Sequence, residues 1–218
     1  SALGLGRKWL IVPVALSLML ALPVGTVKGA TQAGGEVIHE ADTPQQYARV
    51  VEYPDGERHL ELNEGQAVHS IYRPDTVLTG DVWDGYLVAP LAARAGAPGR
   101  IAILGNGAGT TVRAYEKYFP STRIDAVEID GELTEIGKKY FDLRERPEVR
   151  FFAEDARPFL ARMDDERYDL IVVDAYRQPY IPFYLATTEF FELVRDRLAP
   201  GGAVVINVGH PEGNDDLE

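Results

Sequence analysis

No cysteine occurs in the 218 residues. That excludes disulfide scaffolding, thiolate catalysis and cysteine-built zinc sites, and it leaves the compartment open. Bases are scarce beside acids, with 22 Lys and Arg against 34 Asp and Glu and a net charge of −12. A nucleic-acid partner would want a basic face, so that class is excluded. The four histidines, His39, His59, His69 and His210, lack metal-ligand spacing, and no metal site is expected. There is no internal repeat or low-complexity tract. Nor is there an apolar run of the roughly 20 residues that a spanning helix needs. The uncharged stretch Trp9–Val24 is shorter and contains Pro13 and Pro23. It reads as a membrane-proximal segment, the h-region of a signal peptide without a small-x-small cleavage site, or a strip packed on the soluble domain. The expectation is the first, with residues 1–36 as segment plus linker.

What remains is ordinary for a globular protein: 45% hydrophobic and 26% charged residues, enough for one domain with appendages. Over residues 37–75 the patterns are short β: "QYARVVEY", a "PDG" turn and an alternating "ERHLELNEG". A small antiparallel β subdomain is expected there. "TVLTGDVWDGYLVAPLAARAG" reads as a helix leading into a second region, 76–218. After Arg100 apolar strands alternate with amphipathic helices. The strands are "RIAILG", "RIDAVEID", "VRFFAED", "YDLIVVDA" and "AVVINVG". This rhythm predicts a mostly parallel sheet covered by helices on both faces. The helix "TTEFFELVRDRLAPGG" is expected to stop at its glycines and to bury Phe190, Phe191, Leu193 and Val194.

Four strand ends carry the candidate chemistry. "ILGNGAGT" follows the first strand, where Gly105, Gly107 and Gly109 allow a sharp turn and close approach to a ligand. It fails as a dinucleotide fingerprint because Thr110 stands where the third glycine belongs; a tight turn without ligand is the alternative. Glu128 ends the second strand at the distance where a carboxylate accepts from two ribose hydroxyls. Asp130 beside it reads as a helix cap. Asp155 ends the third strand, positioned either to accept from an adenine amino group beside Ala156 or to cap the next helix. Asp174 ends the fourth, followed by Tyr176, Arg177, Tyr180 and Tyr184. Those aromatics can hold a cation or brace a proline-rich loop.

Together these motifs resemble the spermidine synthase (polyamine aminopropyltransferase) family, over about residues 43–208. "ILGNGAGT" stands at the family's GGGDGG loop, "VEID" at its ribose-binding strand end, "EDARPFL" at its adenine-contacting segment and "VVDAY" at the strand end with its catalytic Asp. "TPQQYARVVE" and "LELNEGQAVHS" place Gln46 and Gln66 where the family's ligand-contacting glutamines sit. The resemblance implies an α/β, Rossmann-like class I methyltransferase fold with two further strands after the fifth, so the 76–218 region reads as C-terminally truncated. It implies decarboxylated S-adenosylmethionine or S-adenosylmethionine as donor, a small amine acceptor, Asp174 as base, and a homodimer; Asp84, Tyr176, Arg177 and Tyr180 are the candidate acceptor-binding residues. It is nearest to bacterial members whose synthase domain follows membrane segments, hence a membrane-anchored, cytoplasm-facing protein attached through residues 9–24.

Three departures stand against that pattern. Ala108 replaces the loop Asp that holds the aminopropyl amine, Arg177 replaces a second Asp for the diamine, and Val82–Trp83 replace a Tyr–His pair of the acceptor site. The expected function is aminopropyl transfer to an amine. Methyl transfer to a small molecule and a non-catalytic adenosyl-binding regulatory domain are the alternatives.

Overall fold

The structure, a computed structural model, describes residues 31, 34–63, 67–93, 96–175 and 181–208. Residues 9–24, Gln66, Tyr176, Arg177 and Tyr180 lie outside the described residues. Among those described, no helix is long and apolar enough to cross a membrane. Thr31–Glu218 form one compact unit holding two sheets.

The first sheet is an antiparallel meander of β1 (Glu36–Asp42), β2 (Tyr47–Glu52), β3 (Arg58–Leu62) and β4 (Ala67–Tyr72). Alternation places Ala48, Val50, Leu60 and Leu62 on one face. There they pack with Ala108, Leu133, Ile136 and Phe141 of the second sheet's coverings. Hydrogen bonds latch the layers together. Thr43 Oγ1 donates to Asp130 at 2.5 Å, and the Ala108 N–H donates to Ser70 Oγ at 2.8 Å. The hydroxyl of Thr110 accepts from Ile71 N at 2.9 Å. The residue that breaks the dinucleotide fingerprint thus ties the glycine loop to β4.

The second sheet has five parallel strands in the order β7-β6-β5-β8-β9: β5 (Arg100–Leu104), β6 (Arg123–Glu128), β7 (Val149–Ala153), β8 (Tyr168–Val173) and β9 (Leu198–Ile206). Helices α1 (Val82–Ala93), α2 (Thr110–Tyr118), α3 (Gly131–Tyr140), α4 (Ala156–Arg162) and α5 (Thr188–Arg197) intervene, as the alternating pattern predicts. Successive connections diverge from β5, so the space beyond the carboxyl ends of β5 and β8 is the switch point where such sheets bind ligands. Buried Asp125 on β6 accepts two bonds from Arg150, at 2.7 and 2.8 Å, and one each from Arg100 at 3.1 Å and Tyr168 Oη at 2.8 Å. Removing it strands those donors. Asp125→Ala should therefore cost about 2–4 kcal/mol, below the 3–5 typical of a broken buried pair because Arg150 keeps access to water. Urea unfolding of the variant checks this.

Two expectations are corrected at α5. The helix stops at Arg197, before the glycines, because Pro200 disfavours helical backbone at Ala199 and Leu198 is already extended (φ −76°, ψ 141°). The "LAPGG" run instead opens β9. Phe190 and Val194, one helical turn apart, are buried, whereas Phe191 is 37% exposed because it sits about 100° around the helix from that face.

Candidate functional site

A cavity of about 360 Å³ opens between the first sheet and the carboxyl ends of the parallel strands. Its wall brings together Gln46, Gly105, Gly107, Glu128, Asp155, Ala156 and Asp174 from the sequence-predicted set. Gly105 has φ 93°, and any Cβ there would lie 2.3 Å from the Asp174 carbonyl oxygen, so glycine is required by the neighbouring backbone. Gly109 is a correction: it does not line the cavity. It occupies the left-handed N-cap of α2, and a Cβ there would meet Leu143.

Glu128 ends β6 fully buried. Its Oε2 accepts from Gly107 N at 2.8 Å and its Oε1 from Asp130 N at 3.1 Å, so it staples the glycine loop to its own strand. Burial pushes its carboxyl above the usual range, and these backbone donors oppose the rise. Ile129 N is a third backbone donor, which leaves the carboxylate about one lone pair for a further donor. Asp155 adopts the cap arrangement: Oδ1 accepts from Arg157 N at 2.8 Å, and Oδ2 accepts from the Tyr184 hydroxyl at 2.6 Å. Tyr184 therefore stands at the β7 end of the cavity. Asp130 caps α3 through Glu132 N.

Asp174 follows β8 at the end of the fourth parallel strand in chain order. Burial raises its carboxyl to about 6, and hydrogen bonds from Asn207 and Trp83 limit the rise. Asn207 Nδ2 reaches Oδ1 at 2.9 Å. Neither neighbour stands out as a site residue in the sequence. Trp83 was noted only as a departure from the family pattern, and nothing local marks Asn207 beyond its place at the end of the fifth strand. His69 also lines the cavity; burial lowers its imidazole to about 4, which leaves it neutral at pH 7.

Asp84 is a second correction. It does not line the cavity, because both its oxygens turn back to the preceding loop: Oδ1 accepts from Thr79 N at 2.9 Å and Oδ2 from Gly80 N at 2.8 Å. The acid of that helix start that does line the wall is Asp81. Ala108 is fully buried in the inter-sheet core.

With the geometry in hand, comparison with known proteins is informative. A probable polyamine aminopropyl transferase of Bifidobacterium longum is 40% identical over 149 residues, covering 68% of this chain and 32% of its own. Putrescine N-methyltransferase 2 of Nicotiana tabacum is 33% identical over 112 residues, covering 49% of this chain and 31% of its own. The chain spans about a third of the length of the first relatives it matches. Among solved structures, a probable spermidine synthase from Corynebacterium glutamicum superimposes with a TM-score of 0.67 at 23% identity, covering 78% of this chain and 63% of that one. That match establishes the shared fold. The model of the spermine/spermidine synthase domain matches residues 88–217, from within α1 past the end of β9, and the chain belongs to that family.

Proposed function

We propose that this chain forms the catalytic domain of an aminopropyltransferase using decarboxylated S-adenosylmethionine and an amine acceptor. The observation that carries this reading is the charge of the cavity wall. Asp81, Glu128, Glu154, Asp155 and Asp174 line it, and among the described residues no lysine or arginine does. A decarboxylated donor brings a sulfonium and an ammonium and suits such a wall. The intact donor adds a carboxylate, which the wall repels.

In this reading the remaining lone pair of Glu128 accepts from a ribose hydroxyl, and Asp155 with Ala156 receives the adenine. Gln46, and Gln66 by resemblance, contact the nucleoside. The acceptor amine arrives protonated, since alkylamines have pKa values near ~10. Asp174 holds that ammonium and takes its proton as the C–N bond forms. The C–S bond breaks with its electron pair going to sulfur, so the leaving thioether needs no acid. A carboxyl near 6 is about nine-tenths ionised at pH 7, yet is a better base than an ordinary Asp.

One observation favours methyl transfer to an amine as a second reading. Ala108, where the resemblance puts the aminopropyl-holding Asp, is buried away from the cavity wall, and a plant putrescine N-methyltransferase is among the relatives. Calorimetry separates the two. The decarboxylated donor should bind at least tenfold more tightly than the intact one, and Glu128→Ala should weaken both. Equal binding, with methyl rather than aminopropyl gain on the amine by mass spectrometry, would overturn the first reading in favour of the second.

A further inference from the structure

The acceptor end of the cavity differs from the family pattern at Val82 and Trp83, and the structure gives Trp83 an occupation. It is buried at the start of α1, lines the cavity, and hydrogen-bonds Asp174. From the same helix Tyr86 packs into the core beside it. From the end of β9, Asn207 donates to Oδ1, while its own N–H donates to Val173 O at 3.0 Å and fixes the residue in the sheet. The helix side is fixed as well: the Tyr86 carbonyl accepts from the buried Tyr115 hydroxyl at 2.8 Å.

We infer that Trp83 and Asn207 are positioning residues which hold the Asp174 carboxylate in one orientation and leave its remaining acceptor sites to the incoming amine. A carboxylate offers about four lone-pair sites. Donors from two elements, the Trp83 indole and the Asn207 amide, occupy part of them, and the rest are left for the N–H groups of the acceptor. The same donors favour the anion, opposing burial among apolar neighbours. The indole and the amide are the groups that bond Asp174. The other titratable groups of the wall are Asp81, His69, Glu128, Glu154, Asp155 and Tyr184, and none of them is a hydrogen-bond partner of Asp174.

This inference rests on Asp174 being the base, so its test needs a readout independent of turnover. Carbon-13 carboxylate NMR on Asp-labelled protein follows Asp174 directly, the Asp174→Asn variant assigning its signal. Trp83→Phe keeps the ring and removes the N–H; Asn207→Leu keeps the volume and removes the amide. In each, the Asp174 titration should move up by about half to one unit, a three- to tenfold gain in proton affinity. The kcat/KM should fall about two- to fivefold at pH 6 and recover above pH 8, with donor affinity unchanged. A titration that moves while neither wild type nor variant alkylates any amine leaves the positioning role intact and removes the aminopropyltransferase reading. A titration that stays put in both variants, or rates that fall equally at every pH, overturns the positioning role. If Trp83→Phe does not fold, Asn207→Leu decides alone.

Discussion

Asp174→Asn should lower transfer activity by about 10²–10⁴-fold, the usual worth of a positioned general base, while making the protein more stable at neutral pH. The second half follows from the direction of the shift. The folded protein holds the Asp174 proton up to about pH 6, whereas the unfolded chain releases it near 3.8. Between those values the native state binds more protons, so stability falls as pH rises through the window and is level above it. Two units correspond to roughly 3 kcal/mol. Asn carries no charge to bury, but its amide N–H₂ faces one of the donors that now serve the carboxylate. The net gain should be about 1–3 kcal/mol at pH 7.5 and should shrink towards pH 4. Urea melts of both proteins at the two pH values, alongside nucleoside binding, check it. A variant equally stable and equally inactive at both would make Asp174 an ordinary acid whose loss merely distorts the cavity.

That trade between stability and function explains which parts of the site the sequence disclosed. The parallel sheet was legible because its strands are continuous apolar runs between helix-period segments. The strand-end acids were legible because chain order alone puts Gly105, Glu128, Asp155 and Asp174 at the same edge of such a sheet. Contacts made across the fold left no such mark. Trp83 and Asn207 meet at Asp174 from far apart in the chain, and only the packing of α1 beside β8 and β9 brings them there. Asp84 was misread for a related reason. An acid in the first turn of a helix can face outward to a ligand or back to its own N-terminal loop, and the two are identical as sequence until the backbone donors of Thr79 and Gly80 are located. Gly109 shared a motif with Gly105 but serves contact with Leu143 instead of the cavity.

The glycines also supply a graded test of how the loop is held. Gly80, Gly109 and Gly105 all have left-handed backbone, with φ of 76°, 91° and 93°. A Cβ at Gly80 meets nothing within 4 Å, so Gly80→Ala reports the conformational cost alone, about 1–2 kcal/mol. At Gly109 the Cβ meets the Leu143 side chain at 2.5 Å, and a leucine can turn aside. That variant should cost slightly more and leave donor binding nearly unchanged. At Gly105 the Cβ falls 2.3 Å from the Asp174 carbonyl oxygen and 2.8 Å from the Ala175 nitrogen. These are backbone atoms with no rotamer to change. Both strands are also pinned beside the contact, Gly105 N to Val127 O at 2.9 Å and Asp174 N to Leu104 O at 2.8 Å. Relief requires prying apart the two central strands, so overpacking adds about 1–3 kcal/mol to the conformational cost. Gly105→Ala should lose about 2–5 kcal/mol in all and displace Asp174 from its donors, so that activity falls even in the fraction that folds. Thermal melts of the three variants, with donor titrations on each, read the series. A Gly105→Ala protein no less stable than Gly80→Ala would mean that the β5–β8 approach is slack, and with it the placement of the base.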